Sequence, residues 1–76
     1  MFTAKKIKDL MDANPFRPFR ICMTDGKAYD VANHDSAFVL SHCVEIAVEP
    51  DTKGFAQKVI RCAYLHIASI EDLQPA

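Results

Sequence analysis

The sequence predicts an α+β fold in which an N-terminal helix is followed by about five short, strongly bent antiparallel strands that form a small barrel. Apolar residues recur at helical spacing near the N-terminus, whereas apolar and polar residues alternate in several later segments. Most of those segments are separated by residues typical of tight turns. We favour a barrel over a flat sheet because closure removes exposed strand edges.

Length and composition indicate a single domain over residues 1–76. Half of the 76 residues are hydrophobic and 25% are charged, which is a globular balance. A chain of this size buries only about 60% of its unfolded surface, so its core alone gives a small stability margin. We therefore expect help from an oligomer interface.

Residues 2–14 are predicted to form the helix. Thr3 is a suitable N-cap residue, and Pro15 stops the helix because the residue before a proline avoids helical geometry. A helix of about three turns is too short to be stable alone in water. We expect its apolar face to cap the barrel within the chain, and the residues of that face are Ile7, Leu10 and Met11.

Residues 16–73 are predicted to form the bent antiparallel sheet or barrel, beginning with a hairpin around Asp25-Gly26. A two-residue loop would pair apolar with polar positions. A three-residue loop with Gly26 in a left-handed bulge aligns the apolar positions instead. The predicted pairs are Met23 with Lys27, Ile21 with Tyr29, Phe19 with Val31 and Arg20 with Asp30.

The remaining strands are predicted from alternation and from one turn cluster. Residues 37–40 and 44–49 read as two strands or as one bent strand, and residues 50–54 form a turn. The segment 59–67 alternates two apolar sets, so both of its faces are expected to be buried. Residues 67–73 are predicted to make a tight turn into a final short strand.

The cysteines and the N-terminus predict a cytoplasmic protein. Cys22, Cys43 and Cys62 are an odd number without a C-x-x-C pair, which favours reduced thiols in core or half-buried positions. Residues 1–15 are expected to contain no signal peptide, because no apolar run follows the lysines. No stretch approaches the ~18 apolar residues of a membrane span, so no membrane association is predicted.

We predict neither a metal or cofactor site nor catalytic residues. Cys62 and His66 are expected to share a strand face, and a zinc site there would need Cys22, Cys43 or His42 as its further ligands. Structural zinc ligands usually come in close pairs from turns, which is not the spacing here. Phosphate-loop, paired-carboxylate and H-E-x-x-H motifs are absent from the sequence, so we expect a protein that is not an enzyme.

Positive charge is concentrated at the N-terminal end. Residues 1–20 contain five Lys or Arg and two Asp, and the remainder contains four Lys or Arg and eight carboxylates. Aromatic and cationic residues interleave in residues 16–20, a combination that binds single-stranded nucleic acid. The candidate contacts to a nucleic acid or a protein partner are Lys5, Lys8, Arg17, Arg20 and His66.

The segments 15–21 (P-F-R-P-F-R-I) and 65–71 (L-H-I-A-S-I-E), with Asp25-Gly26 between them, resemble a family of small uncharacterised bacterial proteins. The resemblance spans nearly the whole chain and implies no activity. The family's connecting loop commonly ends in Pro-His, whereas this chain has Ala32-Asn33-His34.

A second likeness is to Sm-like barrels, which also begin with a helix and have a short turn between their last two strands. The bacterial RNA chaperone of that fold carries Lys-His in the turn, where this chain has Leu65-His66. The likeness implies an SH3- or Sm-like barrel architecture.

Two functional hypotheses follow. The first is a small non-catalytic interaction module that self-associates, with a dimer favoured and any protein partner unidentified. Its strands would pair at a free edge, either the strand with Val44, Ile46 and Val48 or the closing 67–73 segment. The alternative is an Sm-like nucleic-acid-binding protein that uses the basic N-terminal segment and whose binding falls steeply with salt.

Overall fold

The structure, a computed structural model, describes residues 1–53 and 55–73. Its α+β class agrees with the prediction, and the described strands number six because residues 37–40 and 44–49 contribute two separate strands. The elements are α1 (Ala4–Met11), β1 (Phe19–Met23), β2 (Ala28–Val31), β3 (Ala37–Val39), β4 (Cys43–Pro50), β5 (Ala56–Ala63), a 3₁₀ turn (Tyr64–His66) and β6 (Ile67–Asp72).

The strands form two antiparallel sheets of three strands each. The first sheet has the order β2-β1-β6 and the second has the order β3-β4-β5. Over residues 1–53 and 55–73, hydrogen-bonded strand pairing does not join the two sheets into one closed ladder. A turn separates β2 from β3, in which the Ser36 N–H donates to the Asn33 carbonyl at 3.0 Å.

Helix α1 is shorter than the predicted segment 2–14. The Thr3 hydroxyl accepts a hydrogen bond from the Lys6 N–H at 3.3 Å, which confirms the predicted N-cap. The helix ends at Met11, and the Asp12 N–H makes the last helical bond to the Lys8 carbonyl. The helix contacts β3 and β4, so its apolar face docks within the chain as expected.

The hairpin between β1 and β2 has the predicted register. Phe19 lies opposite Val31 and Arg20 lies opposite Asp30. Gly26 has a φ of +89°, the left-handed conformation that the bulged loop requires. The loop is closed by hydrogen bonds from the Met23 N–H to the Lys27 carbonyl at 2.8 Å and from the Gly26 N–H to the Met23 carbonyl at 3.1 Å.

The second sheet corrects the prediction of a free edge at the strand with Val44, Ile46 and Val48. That strand is β4, which lies in the middle of its sheet between β3 and β5. Alternation of apolar and polar residues is the same in a central strand as in an edge strand, so this pattern could not distinguish the two positions. The other predicted edge is correct, since β6 lies at the edge of the first sheet.

The segment 59–67 also differs from the prediction. The strand ends at Ala63, where the Tyr64 N–H donates to the His42 carbonyl and the Tyr64 hydroxyl donates to the Leu40 carbonyl. These two bonds hold a 3₁₀ turn, after which β6 runs from Ile67 to Asp72 without the turn that was expected inside it. The predicted turn at 50–54 includes Gly54, which lies outside the described residues.

The core lies between the two sheets and α1. The fully buried side chains come from both sheets and the helix, and they are Ile7, Phe19, Ile21, Val31, Val44, Ile46 and Cys62.

In the described part of the chain no helix has the length and apolar character needed to cross a membrane.

Candidate interaction surface

The two lysines predicted as contacts lie on α1, and both are paired with carboxylates. The Lys5 ammonium is 2.9 Å from the Asp9 carboxylate, and the Lys8 ammonium is 2.9 Å from the Asp12 carboxylate. Each pair joins residues four apart on the exposed side of the helix, the spacing at which side chains meet. Both lysines therefore present partly neutralised charge.

Arg20 is also paired. Its Nε lies 2.7 Å from the Asp30 Oδ1 across the hairpin, and this hydrogen bond lowers the pKa of the Asp30 carboxyl. Arg17 and His66 are exposed, Arg17 before β1 and His66 in the 3₁₀ turn. Among the described residues, no hydrogen bond or ion pair gathers the five predicted contacts into one site.

A different surface stands out on the second sheet, whose two faces differ sharply in burial. The inner face carries Val44, Ile46 and Cys62, all buried in the core. Successive residues of a strand point to opposite faces, so the alternate positions form the other face. We call this the outer face, and it consists of Phe38, Cys43, Glu45, Ala47, Val59, Arg61 and Ala63.

The middle of the outer face is a row of three residues across three strands. Phe38 on β3 lies opposite Glu45 on β4, and Glu45 lies opposite Arg61 on β5. The Arg61 Nε donates to the Glu45 Oε2 at 2.8 Å, which raises the pKa of the guanidinium. The row therefore combines an aromatic ring with an ion pair whose net charge is zero.

Large apolar side chains on the outer face are exposed to solvent. Phe38 is 70% exposed and Val59, in the next row opposite Ala47, is 57% exposed. Helix α1 packs Ile7 and Met11 into the core on the inner side of the sheet. Because Phe38 and Val59 stay exposed, helix α1 does not cover the outer face. The expectation that both faces of segment 59–67 are buried is therefore wrong, and Leu65 is likewise 66% exposed.

The cysteines occupy core or half-buried positions as predicted. Cys62 is buried on the inner face, and its burial raises the pKa of the thiol. Cys43 is half-buried on the outer face, and Cys22 is half-buried with its Sγ 3.5 Å from the Glu71 Oε1. His66 does not share a strand face with Cys62, because β5 ends before it.

The candidate zinc ligands are not assembled in the structure. Within residues 1–53 and 55–73, no group of three or more His, Cys, Asp or Glu side chains is placed to hold a metal ion. Cys43 and Cys62 lie on opposite faces of the second sheet, which keeps their sulfur atoms on different sides.

Comparisons of the chain with models of protein families, with curated proteins and with solved structures find no match. The resemblance to the small bacterial family and the likeness to Sm-like barrels therefore stay predictions from the sequence.

Proposed function

We propose that the protein is a small, non-catalytic interaction module that self-associates, with a dimer as the favoured state. The observation that supports this proposal is the open outer face, where Phe38 and Val59 are more than half exposed. These two side chains lie on the strands that flank β4, and large apolar side chains that the fold leaves exposed on one sheet face are candidate contacts with another protein.

A second copy is the partner that the charges favour. Glu45 and Arg61 neutralise each other on the outer face, and the whole chain has a formal net charge of -1, so two copies repel each other only weakly. A two-fold pair brings the same patch of both copies together, which is the commonest closed arrangement. Burying the patch also adds stability to a domain of only 76 residues.

The finer architecture that we propose is an SH3- or Sm-like barrel. The first sheet runs β6-β1-β2 and the second runs β3-β4-β5. Only the turn around Asn33 and Ser36 separates β2 from β3, and a 3₁₀ turn separates β5 from β6. These two connections support an arrangement in which the sheets are the two halves of one bent strand series.

The alternative function, nucleic-acid binding, has less support. Lys5, Lys8 and Arg20 each form an ion pair within the chain, and each pair would have to open before its cation neutralised a phosphate. Arg17 and His66 are exposed and are the predicted contacts that support it. This alternative predicts that the chain binds an oligonucleotide and that the affinity falls steeply as the salt concentration rises. Fluorescence anisotropy of a labelled oligonucleotide measures this affinity.

Sedimentation velocity tests the proposal. The wild-type chain should have the mass of a dimer at about 100 μM, a generous concentration on the affinity scale. Phe38→Ser and Val59→Ser should each raise the dimer dissociation constant about tenfold, as expected for truncated anchors at a small interface. Leu65→Ser is the matched control, because Leu65 is exposed and apolar but lies in the 3₁₀ turn.

Two outcomes would contradict this proposal. One is a monomeric wild type at that concentration. The other is a dimer that Leu65→Ser weakens as much as Phe38→Ser does, which would mean that general surface hydrophobicity and not the outer face drives association.

A further inference from the structure

A groove of about 750 Å³ separates β2 from the last part of β4. Its walls are formed by Arg20 near the start of β1, by β2, by the connection to β3 and by residues 47–49 of β4. Its volume is in the range of sites that bind peptides and small molecules. The groove lies away from the outer face, except at Ala47.

One wall of the groove is a strand edge. β2 pairs only with β1 in the described sheets, so its other side is free. Met23 and Lys27 form a hydrogen-bonded pair at the hairpin loop, and the backbone groups of an antiparallel strand point alternately to the two sides. The backbone N–H and C=O groups of Ala28 and Asp30 therefore point toward the groove.

The opposite wall is the part of β4 that extends past β3. The β3–β4 ladder reaches Ala37 opposite Ile46, and the Ala47 N–H then donates to the Ser36 carbonyl at 2.8 Å. Beyond this bond, β4 continues through Val48 with no partner strand on that side in the described residues. Two strand edges thus flank the groove, and such edges bind extended peptides.

The groove has apolar and acidic parts. Tyr29 and Val48 are half-buried, pack against the core and line it. Asp30 is held by Arg20, with contacts of 2.7 and 3.3 Å to its two carboxylate oxygens. Two further carboxylates line the groove, those of Asp35 and Glu49. Asp35 is exposed, and its Oδ1 lies 3.3 Å from the His34 Nε2.

We propose that this groove binds an extended, basic segment of a partner protein by strand addition to β2. The segment alternates apolar and basic side chains, so that one set packs on Tyr29 and Val48 while Lys or Arg lies near Asp35 and Glu49. Nucleic acid is disfavoured here, since its phosphates would face these carboxylates. The inference rests on the proposed role as an interaction module, and its groove shares only Ala47 with the outer face proposed for dimerisation.

The first test uses a synthetic peptide of about seven residues that alternates valine and lysine, long enough to span one strand. Titration into ¹⁵N-labelled full-length protein should shift the amide signals of Ala28, Asp30 and Glu49. A peptide that alternates valine and glutamate has the same strand pattern with opposite charge and should not bind. A valine-lysine peptide that is N-methylated at every peptide nitrogen should also fail, because neither of its edges has donors left for strand pairing.

The second test removes the acidic groups of the protein. The double variant Asp35→Asn/Glu49→Gln should raise the dissociation constant of the valine-lysine peptide about fivefold, the sum of two exposed charge contacts. Asp72→Asn is the matched control because Asp72 is an exposed carboxylate on β6, on the far side of β1 from β2. Its affinity for the peptide should be unchanged.

Three results would overturn the inference: no amide shift at about 1 mM peptide, shifts confined to residues outside the groove, or equal shifts of the groove amides by a uridine oligonucleotide. Sedimentation of the same samples separates the two proposals. A monomer that binds the peptide contradicts dimerisation alone, whereas a dimer that ignores the peptide contradicts the groove alone.

Discussion

Two valines on neighbouring strands of the second sheet show how differently its faces are used. Val44 on β4 is completely buried on the inner face, while Val59 on β5 is 57% exposed on the outer face. Both belong to alternating apolar segments of the sequence. Alternation therefore tells which residues share a face, but the rest of the fold decides which face it covers.

Truncating Val44 should lower stability most, whereas truncating Val59 should lower it far less. Val44→Ala removes buried methyl groups and leaves a cavity, so the free energy of unfolding should fall by about 2 to 3 kcal/mol. Val59→Ala should change the stability of the monomer by less than about 0.5 kcal/mol. Urea unfolding at low protein concentration measures both, and equal losses would mean that Val59 is packed within the chain.

The hairpin loop tests a stability term that does not depend on either face. Gly26 has a φ of +89°, and apart from its two chain neighbours no residue lies within 4 Å of where a Cβ would be. A methyl group there meets no steric clash, so Gly26→Ala should lose stability through backbone strain. We expect a loss of about 1 kcal/mol, or about 4 to 8 °C in Tm. Gly26→Asn should lose less, because asparagine tolerates this conformation better; an unchanged Tm for Gly26→Ala would contradict the bulged loop.

The inner face should also make stability depend on pH. Burial raises the pKa of the Cys62 thiol, whereas an unfolded cysteine titrates near ~8.5. The unfolded chain then loses protons that the native chain keeps, so stability is fully present below about pH 8 and falls as the pH rises further. Cys62→Ala should remove this slope, Cys22→Ala in the first sheet should retain it, and thermal melts between about pH 7 and 9.5 distinguish them.

The smallest expected effect is at the exposed Arg20–Asp30 pair. Arg20→Gln should lower stability only slightly at neutral pH, because both side chains are exposed and solvent screens the pair. The hydrogen bond from Arg20 lowers the pKa of Asp30, so the contribution is present above about pH 4 and disappears as the pH falls through the native value. The variant and the wild type should therefore converge in acid, and a difference that grows below about pH 3 would contradict this origin.

The local parts of the fold could be predicted from the sequence. The Thr3 cap and the register of the β1–β2 hairpin depend on residues close in sequence, and both agree with the structure. The position of β4 could not be predicted, because its neighbours on both sides depend on pairings with distant segments. The end of β5 likewise depends on hydrogen bonds from Tyr64 to the distant residues Leu40 and His42.

The candidate surfaces were harder to predict than the strands. The pairing of Arg20 with Asp30 agrees with the predicted hairpin register, whereas the pairing of Lys5 and Lys8 with carboxylates one helical turn away was not predicted. The exposure of Phe38 could not be inferred, because a short apolar run is equally compatible with two buried faces. The groove beside β2 arises from the lengths of β3 and β4, which no local pattern determines.

Dimerisation through the outer face of the second sheet is the proposal on which the functional interpretation depends. The most direct measurement is an isotope-filtered NOE experiment on a sample that mixes ¹³C-labelled and unlabelled protein, which detects contacts between copies only. We expect such contacts from the Phe38 ring and the Val59 methyl groups. A dimer whose intermolecular contacts arise only from β6, or from the α1 surface, would contradict the claim.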